Sequence, residues 1–399
     1  MRSPLRPIRE VVQKIFTWNP AVGQTDTFPY IDLGSIDNAE KKIVGIQRVS
    51  RASAPSRARQ RVQVGDILVS TVRPNLNGVA VVDEAENDTT ASTGFCVIRP
   101  NTQEVCHRYL FHWLTSHRFI SEMVRKASGA SYPAVSDRIV LNSEFPAPPL
   151  AEQQRVAKLL DEADDLRKKR RVSLHRLEQL QHGLLFDTLK SNNHPAVKLA
   201  SHNAVAHKGF EYRKLKDIAQ LATGHTPDRS EISYWGGDIP WLTLGDIREL
   251  DGSIVQNTKE HITQAGIANS SAVLLPAGTV CFSRTASVGF VTVAGRPLAT
   301  SQDFVNWICG PNIDPIYLMW ALRASRKNLL ALATGSTHRT IYFPTVEEFA
   351  VALPPIEEQR AFSARILEIN EIKTQHLAHL SHLDFLFASL KHRAFQCEL

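Results

Sequence analysis

Two stretches of this chain run for about forty residues almost free of helix breakers, and both open the same way. Pro148-Pro149-Leu150-Ala151-Glu152-Gln153-Gln154-Arg155 begins the first, which holds no proline and only Gly183 as far as Lys190. Pro354-Pro355-Ile356-Glu357-Glu358-Gln359-Arg360 begins the second, with neither glycine nor proline up to Leu399. A proline pair cannot continue a preceding helix but suits a helix start. Apolar residues then recur at steps of three and four: Val156, Leu159, Ala163, Leu166, Leu174, Leu177, Leu180 and Leu184, then Ile366, Ile369, Leu377, Leu380, Leu383, Phe387 and Leu390. That is the stripe of an α-helix, not the alternation of a strand. Each helix would be roughly 60 Å long, too long for the interior of a compact domain. A seam of that length needs a partner, and the matched openings predict an antiparallel intramolecular coiled coil.

The openings belong to a repeat that covers the whole chain. Ile8-Arg9-Glu10-Val11 aligns with Leu215-Lys216-Asp217-Ile218, and Phe28-Pro29-Tyr30-Ile31 with Ile239-Pro240-Trp241-Leu242. Gly65-Asp66-Ile67-Leu68-Val69-Ser70 meets Gly278-Thr279-Val280-Cys281-Phe282-Ser283, and Ser128-Gly129-Ala130-Ser131 meets Thr334-Gly335-Ser336-Thr337. Identity is low but the order is kept. The expected architecture is an internal pseudo-two-fold duplication: two similar globular α/β domains, 1–149 and 213–353, separated by long helices, 150–190 and 354–399, with 191–212 as linker. Within the domains, strands are predicted over 62–72, 79–82, 272–283 and 289–293, and helices over 106–126 and 315–333.

Composition narrows the class. An apolar fraction of 43% allows real cores, and mean hydropathy is −0.19. No apolar run approaches the ~20 residues of a membrane span, and no secretory signal is evident, so a cytoplasmic protein is expected. Five scattered cysteines form no Cys-x-x-Cys pair, which disfavours a zinc site and a disulfide framework. The 46 basic against 40 acidic residues give +6, a modest pull toward an anionic partner.

Chemistry-bearing motifs are missing. There is no phosphate-binding Gly-x4-Gly-Lys-Ser/Thr loop, no Gly-x-Gly-x-x-Gly, and no Asn-Pro-Pro-aromatic segment of the amino-methyltransferase kind. Asp32 with Glu40-Lys41-Lys42 loosely mimics a nuclease metal site, a spacing that charged loops produce by chance. His376, His379 and His382 creep around the last helix and read as a solvated face. A binder is expected, not a catalyst; a metal-dependent nuclease built on Asp32 and Glu40, or a coiled-coil scaffold that binds only proteins, are the alternatives.

The duplicated layout, the two Pro-Pro-x-x-Glu-Gln openings and Trp235-Gly236-Gly237-Asp238-Ile239-Pro240-Trp241-Leu242 together resemble the DNA-specificity subunit of Type I restriction–modification systems. The likeness spans nearly the full length. It implies two target recognition domains, each reading one half of a split double-stranded DNA site. It also implies long helices that set the half-site spacing and dock two methyltransferase subunits, with motor-nuclease subunits in the full complex. Glu152, Gln153, Glu358 and Gln359, at the helix starts, are the candidate docking residues. No cofactor is expected on this chain; S-adenosylmethionine, ATP and Mg would belong to partner subunits.

Candidate DNA contacts are polar and basic residues on loops. In the first domain they are Arg57, Arg59 and Arg61, alternating along an extended segment; Arg73, Asn75 and Asn77 in a turn; and Ser131 with Tyr132. In the second they are Thr223, His225, Thr226, Tyr234, Arg284, Thr285, Ser287, Thr337, His338 and Arg339. Arginine and asparagine suit bidentate reading of guanine and adenine, whereas lysine, serine and threonine more often hold phosphates.

Overall fold

A computed structural model describes residues 3–189, 195–200, 211–335 and 338–396. The chain divides into two compact units, Met1–Val172 with Ala378–Leu399, and Ser173–Leu377.

In the first unit, Thr27–Ile31 pairs in parallel with Thr90–Ser92, flanked by Gln47–Ser50 and Ala58–Arg61. A second sheet runs Val12–Gln13, Phe95–Pro100, Ile67–Ser70 and Val79–Val81, all antiparallel. Phe95, Cys96, Val97 and Ile98 are all buried, which is why that strand reads as continuous apolar sequence without alternation. Helices His107–Leu114 and His117–Lys126 cover it. The single helix expected over 106–126 breaks because the Ser116 hydroxyl accepts from Phe119 N at 3.3 Å and caps a new start.

The second unit repeats this plan. Trp235–Leu242 pairs in parallel with Ala299–Thr300, and Ala219–Thr223, Phe304–Cys309, Val280–Ser283 and Val291–Ala294 lie side by side. Pro315–Ala324 and Arg326–Ala331 replace the one helix expected over 315–333. The strands expected over 62–72 and 272–283 begin late, at Ile67 and Val280. Gly65 (φ +91°) and Gly278 (φ +84°), equivalent in the repeat, turn the chain first. Val197–Leu199, inside the stretch expected as linker, and Glu211–Lys214, which straddles its end, are the two partners of Phe349–Leu353 and so belong to the unit's sheets.

The long helices are Leu150–Leu189 and Ile356–Ala394. In the first unit the start of one runs beside the end of the other: Arg167 Nε lies 2.6 Å from Asp384 Oδ1, and Arg167 stacks on Phe387 at 4.4 Å. In the second unit, Gln181 Nε2 donates to Asn370 Oδ1 at 2.7 Å, and Lys373 pairs with Glu178. The pairing is therefore antiparallel. The apolar seam is less continuous than the periodicity predicts, because Leu166, Leu180 and Leu377 are about half exposed. Helix burial concentrates at the ends: Val156, Ala157, Leu160 and Phe395 join the first core, and Leu185, Leu189, Phe362 and Ile366 the second. Between them, polar and ionic pairs carry the seam.

Candidate nucleic-acid interface

The strand Ile67–Ser70 leaves its sheet into a turn held open by two left-handed residues, Arg73 (φ +50°) and Asn77 (φ +52°). A second loop crosses it: Val72 bridges Ala134, and Arg73 N donates to Pro133 O at 2.7 Å. Gly129 (φ +102°) lets that loop fold back, since a Cβ there would sit 3.0 Å from the Tyr132 carbonyl. The crossing lays the Arg73 guanidinium over the Tyr132 ring at 4.7 Å, with Tyr132 68% exposed. Asn75 and Ser131 are exposed beside them.

The second unit builds the same crossing from other residues. Thr285 bridges Thr340, and Ala286 (φ +57°) donates its N–H to Arg339 O at 3.0 Å. Gly335 (φ +107°) folds back on the His338 carbonyl as Gly129 does on Tyr132. Ser70 and Ser283 hold the same register against Phe95 and Phe304. Arg73 therefore corresponds to Ala286, and Arg284 to Thr71, the register that the sequence repeat sets by matching Ser70 with Ser283. His338 and Arg339 are exposed; Thr337 lies outside the described residues.

Several candidate side chains face inward. Ser287 is 5% exposed and its hydroxyl accepts from Arg248 Nε at 3.1 Å, so it is spent inside the protein. Asn77, half-buried, donates its amide to Thr115 O at 3.4 Å. Arg284 is half-buried over Phe343, with Nη2 on Gln302 O at 3.0 Å. The Thr226 hydroxyl also bonds Gln302, and His225 N bonds Thr300 O, which brings Thr223, His225 and Thr226 to the same edge as Arg284. Thr285 is half-buried.

Arg59 and Arg61 alternate with buried Ala58 and Gln60 along Ala58–Arg61, across a register shift against Thr90–Ser92, and exposed Arg57 precedes the strand. Arg57 O accepts from Thr93 N, next to the crossed loops, whereas Arg61 is carried away to pair with Asp88 at 3.1 Å. Arg59 bonds Asn19 at 3.4 Å. The Trp-Gly-Gly stretch has a clear structural reason: a β-bulge between Trp235 and Ile239, where a Cβ on Gly237 would lie 2.5 Å from Ile262 O. It seats Trp235 edge-on against Trp241 at 4.9 Å and under Arg229 at 4.0 Å. Arg229 was not among the expected contacts; its closeness to the Trp motif is the signal that marks it. Tyr234 is half-buried against Gly266.

The helix-start glutamines are latches. Gln153 is 2% exposed, accepting from Cys106 N at 3.0 Å and donating to Pro148 O at 2.9 Å. Gln359 is fully buried, accepting from Asp314 N at 2.9 Å and donating to Pro354 O at 2.8 Å. Cys106 and Asp314 are the cap residues of the first helix in each domain, so one side chain ties long helix to domain. Such spent amides cannot face a partner; only half-exposed Glu152, paired with Arg155 at 2.7 Å, and Glu358 remain available. The nuclease reading also loses its pair: Asp32 accepts from Ser35, while Glu40 lies 3.5 Å from Arg171. Among the described residues no group of three His, Cys, Asp or Glu is placed to hold a metal, and no helix is long and apolar enough to cross a membrane.

A family model of the Type I restriction modification DNA specificity domain matches twice, over residues 23–176 and 207–380. The Type I restriction enzyme MjaIX specificity subunit of Methanocaldococcus jannaschii is 30% identical over 155 residues, 38% of this chain and 36% of that one, so this match spans about a third of the relative. The HindI specificity subunit of Haemophilus influenzae is 21% identical over 86% of this chain and 88% of its own. A solved structure titled for complex assembly and conformational transition of the type I R-M system superposes with a TM-score of 0.61 at 23% identity, covering 100% and 98% of the chains. The Type I system S subunit from M. genitalium gives 0.58 at 13% identity, covering 98% and 96%. These two likenesses speak to the fold. With both of its globular domains matched, the chain belongs to the Type I restriction–modification DNA specificity family.

Proposed function

We propose that this chain is the non-catalytic DNA-reading subunit of a Type I complex and reads a bipartite duplex site, one globular domain per half-site. The observation that carries this is the crossed-loop motif: the same bridges and left-handed residues recur in both domains, while the exposed side chains differ. Equal scaffolds with unequal side chains suit two half-sites of unequal sequence. Arg73, Asn75, Ser131, Tyr132 and Arg57 form the first reading edge. Thr223, His225, Thr226, His338 and Arg339 form the second, with Arg284 and Thr285 behind it; Thr337, outside the described residues, is kept as a candidate from sequence alone. Tyr234, Arg59 and Arg61 sit farther out and suit phosphates better than bases. The long helices would dock two methyltransferase subunits, with motor-nuclease subunits in the larger assembly, and Glu152 and Glu358 face that role. S-adenosylmethionine, ATP and Mg would come with those partners.

The test is binding of the full chain to a duplex library randomised in both half-sites. Arg73→Ala should relax one half-site and Arg339→Ala the other, each by about 1–3 kcal/mol if the arginine reads a base. Equal degradation of both half-sites by either variant contradicts one domain per half-site.

A further inference from the structure

Each reading turn closes on a left-handed residue, Asn77 or Gly289, and in each domain a cation bonds that residue's carbonyl, which in the first domain also accepts from Val79 N at 3.0 Å. In the first, Lys41 Nζ donates to Asn77 O at 2.5 Å; in the second, Arg326 Nε donates to Gly289 O at 2.8 Å. The two positions are equivalent, since Ser70 N bonds Gly78 O and Ser283 N bonds Phe290 O, each one residue further on. The cations themselves are not equivalent. Lys41 ends the turn between Ile36–Asp37 and Lys42–Ile43, whereas Arg326 opens the helix Arg326–Ala331. Two unrelated segments thus deliver a cation to one backbone oxygen, which points to a requirement of the turn and not to an inherited contact.

We propose that Lys41 and Arg326 are positioning residues for DNA recognition, each clamping the reading turn of its own domain through the carbonyl of Asn77 or Gly289. This rests on the DNA-reading function above. The turn's own bonds are short-range, Leu76 N to Arg73 O and Asn77 N to Pro74 O in the first domain, and its two left-handed residues persist only where the surroundings over-determine them. The clamp in the second domain is itself held. Arg326 bonds Asp251 at 2.5 Å and stacks on Phe290 at 4.3 Å, while Asp251 also accepts from Val291 N at 3.0 Å. A Cβ on Gly289 would sit 2.7 Å from Arg326 Cγ, so the glycine admits the clamp as well as the φ of +88°. In the first domain Asp37 lies near Lys41, and Asn77 adds its amide bond to Thr115. Arg73 and Asn75 project from the span that these anchors fix.

The experiment measures full-chain binding to a duplex library randomised in both half-sites, with thermal midpoints recorded for every variant. Lys41→Met should lower discrimination at one half-site by about tenfold, and Arg326→Met at the other, with Lys41→Arg and Arg326→Lys restoring much of it. Asp251→Asn, which loosens Arg326 without removing it, should weaken the same half-site as Arg326→Met, and it decides the matter if the methionine variant does not fold. Folded variants that keep both preferences, or lose both equally, overturn the clamp. A parent chain with no preference at either half-site instead overturns the DNA-reading function itself.

Discussion

Replacing Gln359 with alanine should unfold the second domain far more readily than its place in a helix opening suggests. The side chain is fully buried and makes a bond from each end of its amide, to Asp314 N and to Pro354 O. The amide nitrogen also reaches Asn312 O at 3.2 Å, so truncation strands one donor and two carbonyls, of which the buried Pro354 O and the Asp314 N–H are each worth about 1–3 kcal/mol. It also removes one methylene's worth of packing, at about 0.8 kcal/mol. Partial rescue by entering water brings the expected loss to about 3–5 kcal/mol. Gln359→Met keeps the volume and should still lose the polar share, about 2–4 kcal/mol. Glu358→Ala, one residue away and half-exposed, should cost less than about 1 kcal/mol. Urea unfolding followed by tryptophan fluorescence reads this directly, because Trp307 and Trp320 are buried in the same core. A loss under about 1 kcal/mol for Gln359→Ala would refute the latch and return the glutamine to the list of docking residues.

Gly289→Ala should destabilise by about 1–2 kcal/mol or more in the same assay, through its positive φ and the contact with Arg326. Burial pushes the Lys391 ammonium down to about 7 from 10.5, with Lys41 and Arg167 adding repulsion and Asp164 attraction. Between those values the unfolded chain binds more protons than the folded one, so stability should rise with pH from about 7 toward 10.5, and Lys391→Met should flatten a thermal-midpoint profile taken from pH 6 to 9.5. A parent profile already flat across that range contradicts the assignment. Adding four residues to each long helix lengthens it by about 6 Å, near two base-pair rises, and the recognised site, read by sequencing bound duplexes, should gain about two base pairs of spacer with unchanged half-sites.

The large elements were legible because their signals are long. Two proline-opened stretches without breakers leave helix as the one economical fold, and a repeat kept in order over the whole chain shows in the sheets as the same parallel and antiparallel pairings. Short-range features were harder. Gly65 and Gly278 cut strands that hydrophobicity alone ran together, and Ser116 split a helix through one hydroxyl. Exposure at the candidate loops was half legible: polarity and turn residues singled out Arg73, Tyr132, His338 and Arg339, which are exposed. Polarity does not say which way a side chain points, so Ser287, Asn77, Gln153 and Gln359 looked like contacts and are internal. Lys41 and Arg326 were unreadable as clamps, since the carbonyls they hold lie 36 and 37 residues away in the chain.

The first unit is assembled from both sides of the second. Phe395 packs edge-on against Tyr109 at 5.4 Å and Trp113 at 5.2 Å, and with Ala394, Phe387 and Leu390 it completes a core otherwise built from residues before Val172. During synthesis that aromatic socket stands open until everything from Ser173 to Leu377 has been made and Phe395 has followed. At 5–20 residues per second the wait is on the order of 10–45 s, ample time for the intervening unit, which needs nothing beyond Leu377, to fold first. The ribosome thus delivers this protein out of order: the domain begun first is completed second, and a chain that stalls between the two would carry a finished second unit and an exposed first core.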